Sequence, residues 1–172
     1  MAATETTTII PAGTWAIDPV HTSVGFQVTD TTEGFSTASG RFTDVDGHFE
    51  GGETPSIAGT IRVAGLRTDN AQRDAHLLSP DFLEAEKYPE IHFVSKSVEP
   101  LDAERFVVRG DLIVKDAPVE VELEGKIRGV GLRVQTGNEQ LVVDARGSFV
   151  WGPFTVEEIG RASCRERVLV TV

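Results

Sequence analysis

Residues 118–128, Pro-Val-Glu-Val-Glu-Leu-Glu-Gly-Lys-Ile-Arg, decide the fold. Val119, Val121, Leu123, Gly125 and Ile127 fall on one side of an extended chain, and Glu120, Glu122, Glu124, Lys126 and Arg128 on the other. A period of two with one apolar and one charged face is the mark of an antiparallel strand that covers a core and faces water outside. The same rhythm spreads in both directions. Val24, Phe26 and Val28 alternate with Gly25, Gln27 and Thr29, and Ile57, Gly59, Ile61 and Val63 with Ala58, Thr60 and Arg62. Phe106, Val108, Gly110, Leu112 and Val114 keep one phase, and so do Leu141, Val143, Ala145, Gly147 and Phe149. Further strands are expected over 13–19, 40–49, 90–98 and 166–172. Gly51-Gly52, Pro100 to Asp102, Asp116 to Pro118 and Thr136 to Asn138 supply the turns. Eight or nine such strands predict an all-β antiparallel barrel or sandwich.

One stretch breaks the rhythm. Residues 69–88, DNAQRDAHLLSPDFLEAEKY, are rich in helix formers and predict a short helical insertion over about 70–88. Asp69 or Asn70 can cap a first helix, and Ser79-Pro80-Asp81 can start a second. Leu77, Leu78, Phe82, Leu83 and Tyr88 share one face, and Pro89 ends the element. Residues 1–12 are Thr-rich and read as a flexible leader, leaving 13–172 as one domain.

The chain has 172 residues and a net charge of −11, which argues against a nucleic-acid partner and against charge-driven docking on an anionic membrane. No apolar run reaches the ~20 residues of a membrane helix. The first fifteen residues show no basic n-region and no long apolar run, so the expected location is cytoplasmic. The single cysteine, Cys164, precludes an internal disulfide.

Glycine recurs on the apolar phase, at Gly59, Gly110, Gly125 and Gly147. Such glycines are either corners of strongly curved strands or open wall left for a ligand. Nine Phe stand against one Tyr and two Trp, so a cavity lined by them suits a greasy ligand; ordinary core packing is the alternative. Among the histidines, His76 could form a metal corner with Asp74 and Asp81, and His21 could pair with Asp18 in the Pro19 turn. Neither spacing is that of a known metal or catalytic motif; capping and turn roles are favoured.

Several separated motifs together resemble those of the YceI-like, lipid- and polyisoprenoid-binding family. They are Trp15-Ala-Ile-Asp18 with His21, Ser23 and Phe26, then Gly40-Arg-Phe42 with Gly47, then Gly110-Asp111-Leu112. The most specific is Arg73-Asp74-x-His76-Leu77-x-Ser79-Pro80-Asp81-Phe82-Leu83 followed by Glu86-Lys87-Tyr88-Pro89-x-Ile91-x-Phe93. The resemblance implies a lipocalin-like barrel enclosing an isoprenoid, quinone-like or similar long-chain lipid in a hydrophobic tunnel. It implies sequestration or transport, no enzyme activity, and no cofactor besides that ligand. Many relatives are exported. On the inward phase, the wall residues expected in the N-terminal half are Phe26, Val28, Phe42, Ile61, Phe82 and Phe93. Those expected in the C-terminal half are Phe106, Val108, Leu123, Val143 and Phe149. A homodimer is among the partner expectations. Two rivals stay open: a metal- or heme-dependent enzyme or redox helper using His21 and His76, and a stress-response interaction module with a filled core.

Residues 158–168, Glu-Ile-Gly-Arg-Ala-Ser-Cys-Arg-Glu-Arg-Val, resemble the translation of a common sequencing-adapter oligonucleotide. The alternation is lost there, and the lone cysteine falls inside. The expectation is that this stretch is foreign to the gene product and displaces part of the native last strand, with Val168, Val170 and Val172 as a makeshift edge.

Overall fold

A computed structural model describes residues 10–30, 36–132, 134, 137–151 and 154–166. Among the described residues there are eleven strands: β1 (Gly13–Ile17), β2 (Ser23–Asp30), β3 (Ser36–Phe42), β4 (Val45–Gly51), β5 (Ser56–Arg62), β6 (Leu66–Arg67), β7 (Glu90–Pro100), β8 (Arg105–Val114), β9 (Ala117–Leu132), β10 (Glu139–Trp151) and β11 (Phe154–Glu166). A short 3-10 turn, Val63–Gly65, precedes β6, and one helix, α1 (Ala71–Leu78), follows it. Every pairing is antiparallel, and the sheet curls strongly, as the period-two pattern predicts.

The sheet closes on itself. The order β1-β4-β5-β7-β8-β9-β10-β11 returns to β1, because Trp15 to Ile17 pair with Glu166 to Cys164. At the other end β11 pairs instead with β2, which carries β3 and then β6. One edge of β11 is thus shared between β1 at one end of the barrel and β2 at the other. At the β2 end the sheet carries three further strands, β2, β3 and β6, beyond the eight that close through β1.

Two core clusters divide the interior. One surrounds Trp15 with Ile10, Phe49, Phe106, Val108, Leu141 and Val143. The other joins Phe42, Val45, Val63, Leu66, Ile91, Leu112, Val114 and Val121. The outer face is laced with ion pairs across β7, β8 and β9. Lys96 reaches Asp111 (2.8 Å) and Glu120 (3.5 Å), Arg109 reaches Glu122 (2.8 Å) and Glu99 (3.0 Å), and Arg105 reaches Asp102 (2.7 Å) and Glu124 (3.7 Å). These contacts raise the pKa of the Lys96 ammonium, chiefly through its hydrogen bond to Asp111. They do the same for the Arg109 guanidinium through Glu99 and Glu122.

The structure corrects several boundaries. The stretch 40–49 is two strands, because the chain turns at Thr43 and Asp44, where Thr43 N–H donates to the Gly65 carbonyl. That partner is remote in sequence, so local alternation runs straight through the turn. The second helix expected at Ser79 is a series of turns. Leu83 and Ala85 N–H donate back to the Leu77 and Leu78 carbonyls, and Glu84 takes φ 50°, which no α-helix continues through. The strand expected over 166–172 lies, from 167 on, outside the described residues; a strand runs over Phe154–Glu166. Its backbone includes 158–166 of the adapter-like stretch, whereas Val168, Val170 and Val172 lie outside the described residues. Residues 1–9 of the expected leader also lie outside them. Ile10, counted with that leader, is 2% exposed in the Trp15 cluster, and Pro11 O accepts from Trp15 Nε1 at 3.0 Å.

Candidate functional site: an apolar cavity under a helical flap

Alternation on β2 aims Val24, Phe26 and Val28 inward, and the ends of β3, β5 and β6 add Phe42, Ile61 and Leu66. Ile91 on β7, Leu112 and Val114 on β8, and Phe149 and Trp151 on β10 complete the wall. Leu77, Phe82 and Leu83 come from α1 and the turns after it and close over the top. All fourteen lining residues are aliphatic or aromatic, and they bound about 720 Å³ of space, part of it open to solvent. Phe26 and Phe42 pack with ring centroids 5.3 Å apart, tilted by 41°.

Polar contacts hold the flap from outside. Asn70 caps α1 by accepting from Arg73 N–H. Thr68, 5% exposed, donates both its N–H and its hydroxyl to Asp74 Oδ1. Arg73 Nε and Nη2 donate to the Thr68 hydroxyl and carbonyl. Lys115 Nζ, at the β8–β9 turn, lies 3.4 Å from Glu84. The family-like Arg73-Asp74 pair therefore ties α1 to β6 and leaves the apolar face of the flap toward the cavity.

Phe26, Val28, Phe42, Ile61, Phe82 and Phe149 of the expected wall come together here. Phe106, Val108, Leu123 and Val143 do not; they belong with the Trp15 cluster, and Phe93 packs against both clusters. The reason is geometric. Strand phase states whether a side chain points inward, and is silent on its height along the barrel. Val24, Leu66, Leu77, Leu83, Ile91, Leu112, Val114 and Trp151 were not among the expected wall residues. For Leu77 and Leu83 the signal was their shared face with Phe82.

The inner-face glycines are seats for neighbouring side chains. A Cβ on Gly125 would lie 2.4 Å from Phe106 Cζ, one on Gly147 2.4 Å from Leu123 Cδ2, and one on Gly40 2.5 Å from Phe26 Cζ. Of the two readings open for Gly59, Gly110, Gly125 and Gly147, open wall does not hold at Gly110, Gly125 and Gly147, whereas a Cβ on Gly59 would meet only the Asp46 carbonyl oxygen, at 3.5 Å. The filled-core alternative describes only the Trp15 half.

His21 and His76 have local partners. Asp18, 2% exposed, accepts from Val20 N–H at 3.1 Å and lies 2.8 Å from His21 Nδ1. His76 packs edge-on to Phe82, 4.9 Å between centroids, with Asp81 3.5 Å from its Nε2, while Asp74 is turned to Thr68. Among the described residues no group of three or more His, Cys, Asp or Glu is placed to hold a metal ion.

A curled antiparallel barrel, packed at one end and hollow under a helical flap at the other, is a lipocalin-like barrel with an apolar cavity. Residues 15–170 match the YceI-like domain, and the chain belongs to that family. Protein YceI of Escherichia coli O157:H7 is 32% identical over 157 residues, 88% of this chain and 80% of that one. A UPF0312 protein of Photorhabdus laumondii is 37% identical over 115 residues; the match takes in 64% of this chain and 58% of that relative's length. A solved polyisoprenoid-binding domain of Saccharophagus degradans, implicated in plant cell wall breakdown, has a TM-score of 0.62 at 12% identity, covering 89% of this chain and 98% of that one. At that identity the likeness concerns the fold.

Proposed function

We propose that the protein binds an isoprenoid, quinone-like or similar long-chain lipid in this cavity, shields it from water and carries it, without covalent chemistry. The observation that carries the reading is a wall of fourteen apolar residues with no polar side chain among them. Such a wall offers an alkyl or alkenyl chain about 0.8 kcal/mol per buried methylene and offers a charged or sugar-like substrate nothing. The family membership and the polyisoprenoid-binding neighbour support the same ligand class.

Native mass spectrometry of protein freshly purified from a bacterial host tests this. The expected spectrum shows a bound mass, and an organic extract yields a polyprenyl lipid or quinone in stoichiometric amount. The same spectrum reads the homodimer expectation. A Phe82→Asp variant, which puts a carboxylate in the flap wall, is expected to come off the column without lipid while remaining folded. Clean extracts from the wild-type protein, at protein loads where a stoichiometric lipid is detectable, overturn the proposal.

A further inference from the structure

Residues 69–90 stand apart from the barrel they cover. None of them is fully buried, whereas Thr68 just before is 5% exposed and Ile91 just after is 7% exposed. Among the described residues, the backbone-to-backbone hydrogen bonds of 70–88 close within that stretch. Leu83 and Ala85 N–H donate to the Leu77 and Leu78 carbonyls, Glu84 N–H to the Ser79 carbonyl, and Lys87 and Tyr88 N–H to the Glu84 carbonyl. Asp69 at φ 60° and Glu84 at φ 50° mark where the chain enters the flap and where it folds back. Such left-handed conformations of non-glycine residues persist only where the surroundings impose them. A segment with little buried surface and its own hydrogen bonds can swing away as one piece, with no strand unpaired.

Both ends of the segment hang from one post. At the first, Thr68 N–H donates to Asp74 Oδ1 and the Thr68 hydroxyl accepts from Arg73 Nε, each at 2.9 Å. At the second, Val63 N–H donates to the Pro89 carbonyl at 2.9 Å. Val63 and Leu66 are each 1% exposed, so residues 63–68 are fixed in the core. Away from this hinge, the polar tie among the described residues is Lys115. Its Nζ lies 3.4 Å from Glu84 Oε2 and 5.9 Å from the centre of the Tyr88 ring. Neither Glu84 nor Lys115 lines the cavity.

Building on the lipid-binding reading, we propose that residues 69–90 form a one-piece lid hinged on residues 63–68, and that the Glu84–Lys115 pair is the latch that limits how fast lipid enters and leaves. A partly exposed ion pair favours the closed lid by a factor of about two to five. Because the latch touches no ligand, losing it speeds entry and exit alike and leaves affinity in place.

The first measurement needs no ligand and uses the full chain, delipidated. In a Cys164→Ser background, Leu112→Cys puts a thiol in the cavity wall and Val143→Cys puts one in the Trp15 cluster. Adding Glu84→Gln is expected to speed labelling of the cavity thiol by dithiodipyridine about two- to fivefold and to leave the core thiol unchanged. An unchanged cavity thiol overturns the latch. Equal acceleration of both thiols is ordinary destabilisation and overturns the lid.

The second measurement follows an uncharged apolar dye, phenylnaphthylamine, by stopped-flow fluorescence. Glu84→Gln is expected to raise its association and dissociation rates each about two- to fivefold, with Kd moving by less than about twofold. The exchanged pair, Glu84→Lys with Lys115→Glu, is expected to restore the wild-type rates. A changed Kd at an unchanged association rate overturns the latch. Failure of the dye to bind either protein overturns the lipid reading and lipid exchange with it, while the thiol result still decides the lid.

Discussion

Replacing Gly125 by alanine should destabilise the protein, although on an ordinary strand the same change does the opposite. Gly125 and Phe106 are direct partners across β8 and β9. A methyl group at 125 would lie 2.4 Å from Phe106 Cζ and 2.5 Å from Cε2, and the ring is 2% exposed with packed core behind it. On an open strand Gly→Ala stabilises by about 0.4–1 kcal/mol, because it removes freedom from the unfolded chain. Here the ring must leave a filled site, and overpacking of that kind costs about 1–3 kcal/mol. The sign should therefore invert. Gly129, on the same strand, has nothing within 4 Å of a built Cβ. Gly129→Ala should accordingly leave stability unchanged or raise it by up to about 1 kcal/mol. Phe106→Leu shortens the ring, and combining it with Gly125→Ala should cost less than the sum, with a coupling of about 0.5–3 kcal/mol. Urea unfolding followed by tryptophan fluorescence reads the four variants against the wild type, with the midpoint moving at constant slope. A Gly125→Ala protein as stable as wild type, or a strictly additive double variant, would refute the ring-on-glycine packing.

Other outcomes follow from the same geometry. Asp102 has its pKa lowered from 3.8 to about 2, first by the Glu104 backbone N–H, then by the Arg105 guanidinium and the Arg105 N–H. Its folded value lies below its unfolded one, so its stabilisation is present above about pH 4 and fades as pH falls toward 2. The stability gap between wild type and Asp102→Asn should shrink across that window, and an NMR titration midpoint near 4 would contradict it. Asp18→Ala removes the acceptor for Val20 N–H and the partner of His21, and should cost about 1–3 kcal/mol in urea unfolding. A change within experimental error would show the turn to be held by other means. Resequencing the locus should remove residues 158–168 from the reading frame; recovering that stretch in clean genomic reads would show it to be genuine.

The faces of the strands were legible in the sequence, and their heights were not. On β9 the inward phase read from Val119 to Ile127 matches the buried Val121 and Gly125. On β8, Phe106 and Val108 share a phase with Leu112 and Val114, yet the first pair packs around Trp15 and the second lines the cavity. Nothing in a period-two pattern separates them; the shared edge of β11 and the glycine at 110 do. The turn at Thr43 and Asp44 escaped for a related reason, since its partner Gly65 is distant in sequence. At Ser79-Pro80-Asp81 strong local helix signals lose to hydrogen bonds that fold the chain back onto α1. The motif Arg73-Asp74 through Phe82-Leu83 located the flap, and the clasp on Thr68 required the structure.

The row of Glu120, Glu122 and Glu124 has a consequence for how the strands find one another. Each carboxylate meets a cation: Lys96 from β7, two strands away, and Arg109 and Arg105 from the adjacent β8. Three like charges two residues apart are interchangeable, so sliding β9 by two residues keeps most pairs and keeps every side chain on its own face. Neither charge nor hydrophobicity penalises that slip. The tight turn at Lys115 and Asp116, both at positive φ, opposes it at one end. Farther from the turn, the slip would bring Leu123 or Ile127 opposite Phe106 in place of Gly125, and the ring would have nowhere to lie. The smallest residue in the strand thus acts as an alignment pin, making mispaired hairpins bulky and the correct one compact while the chain is still assembling.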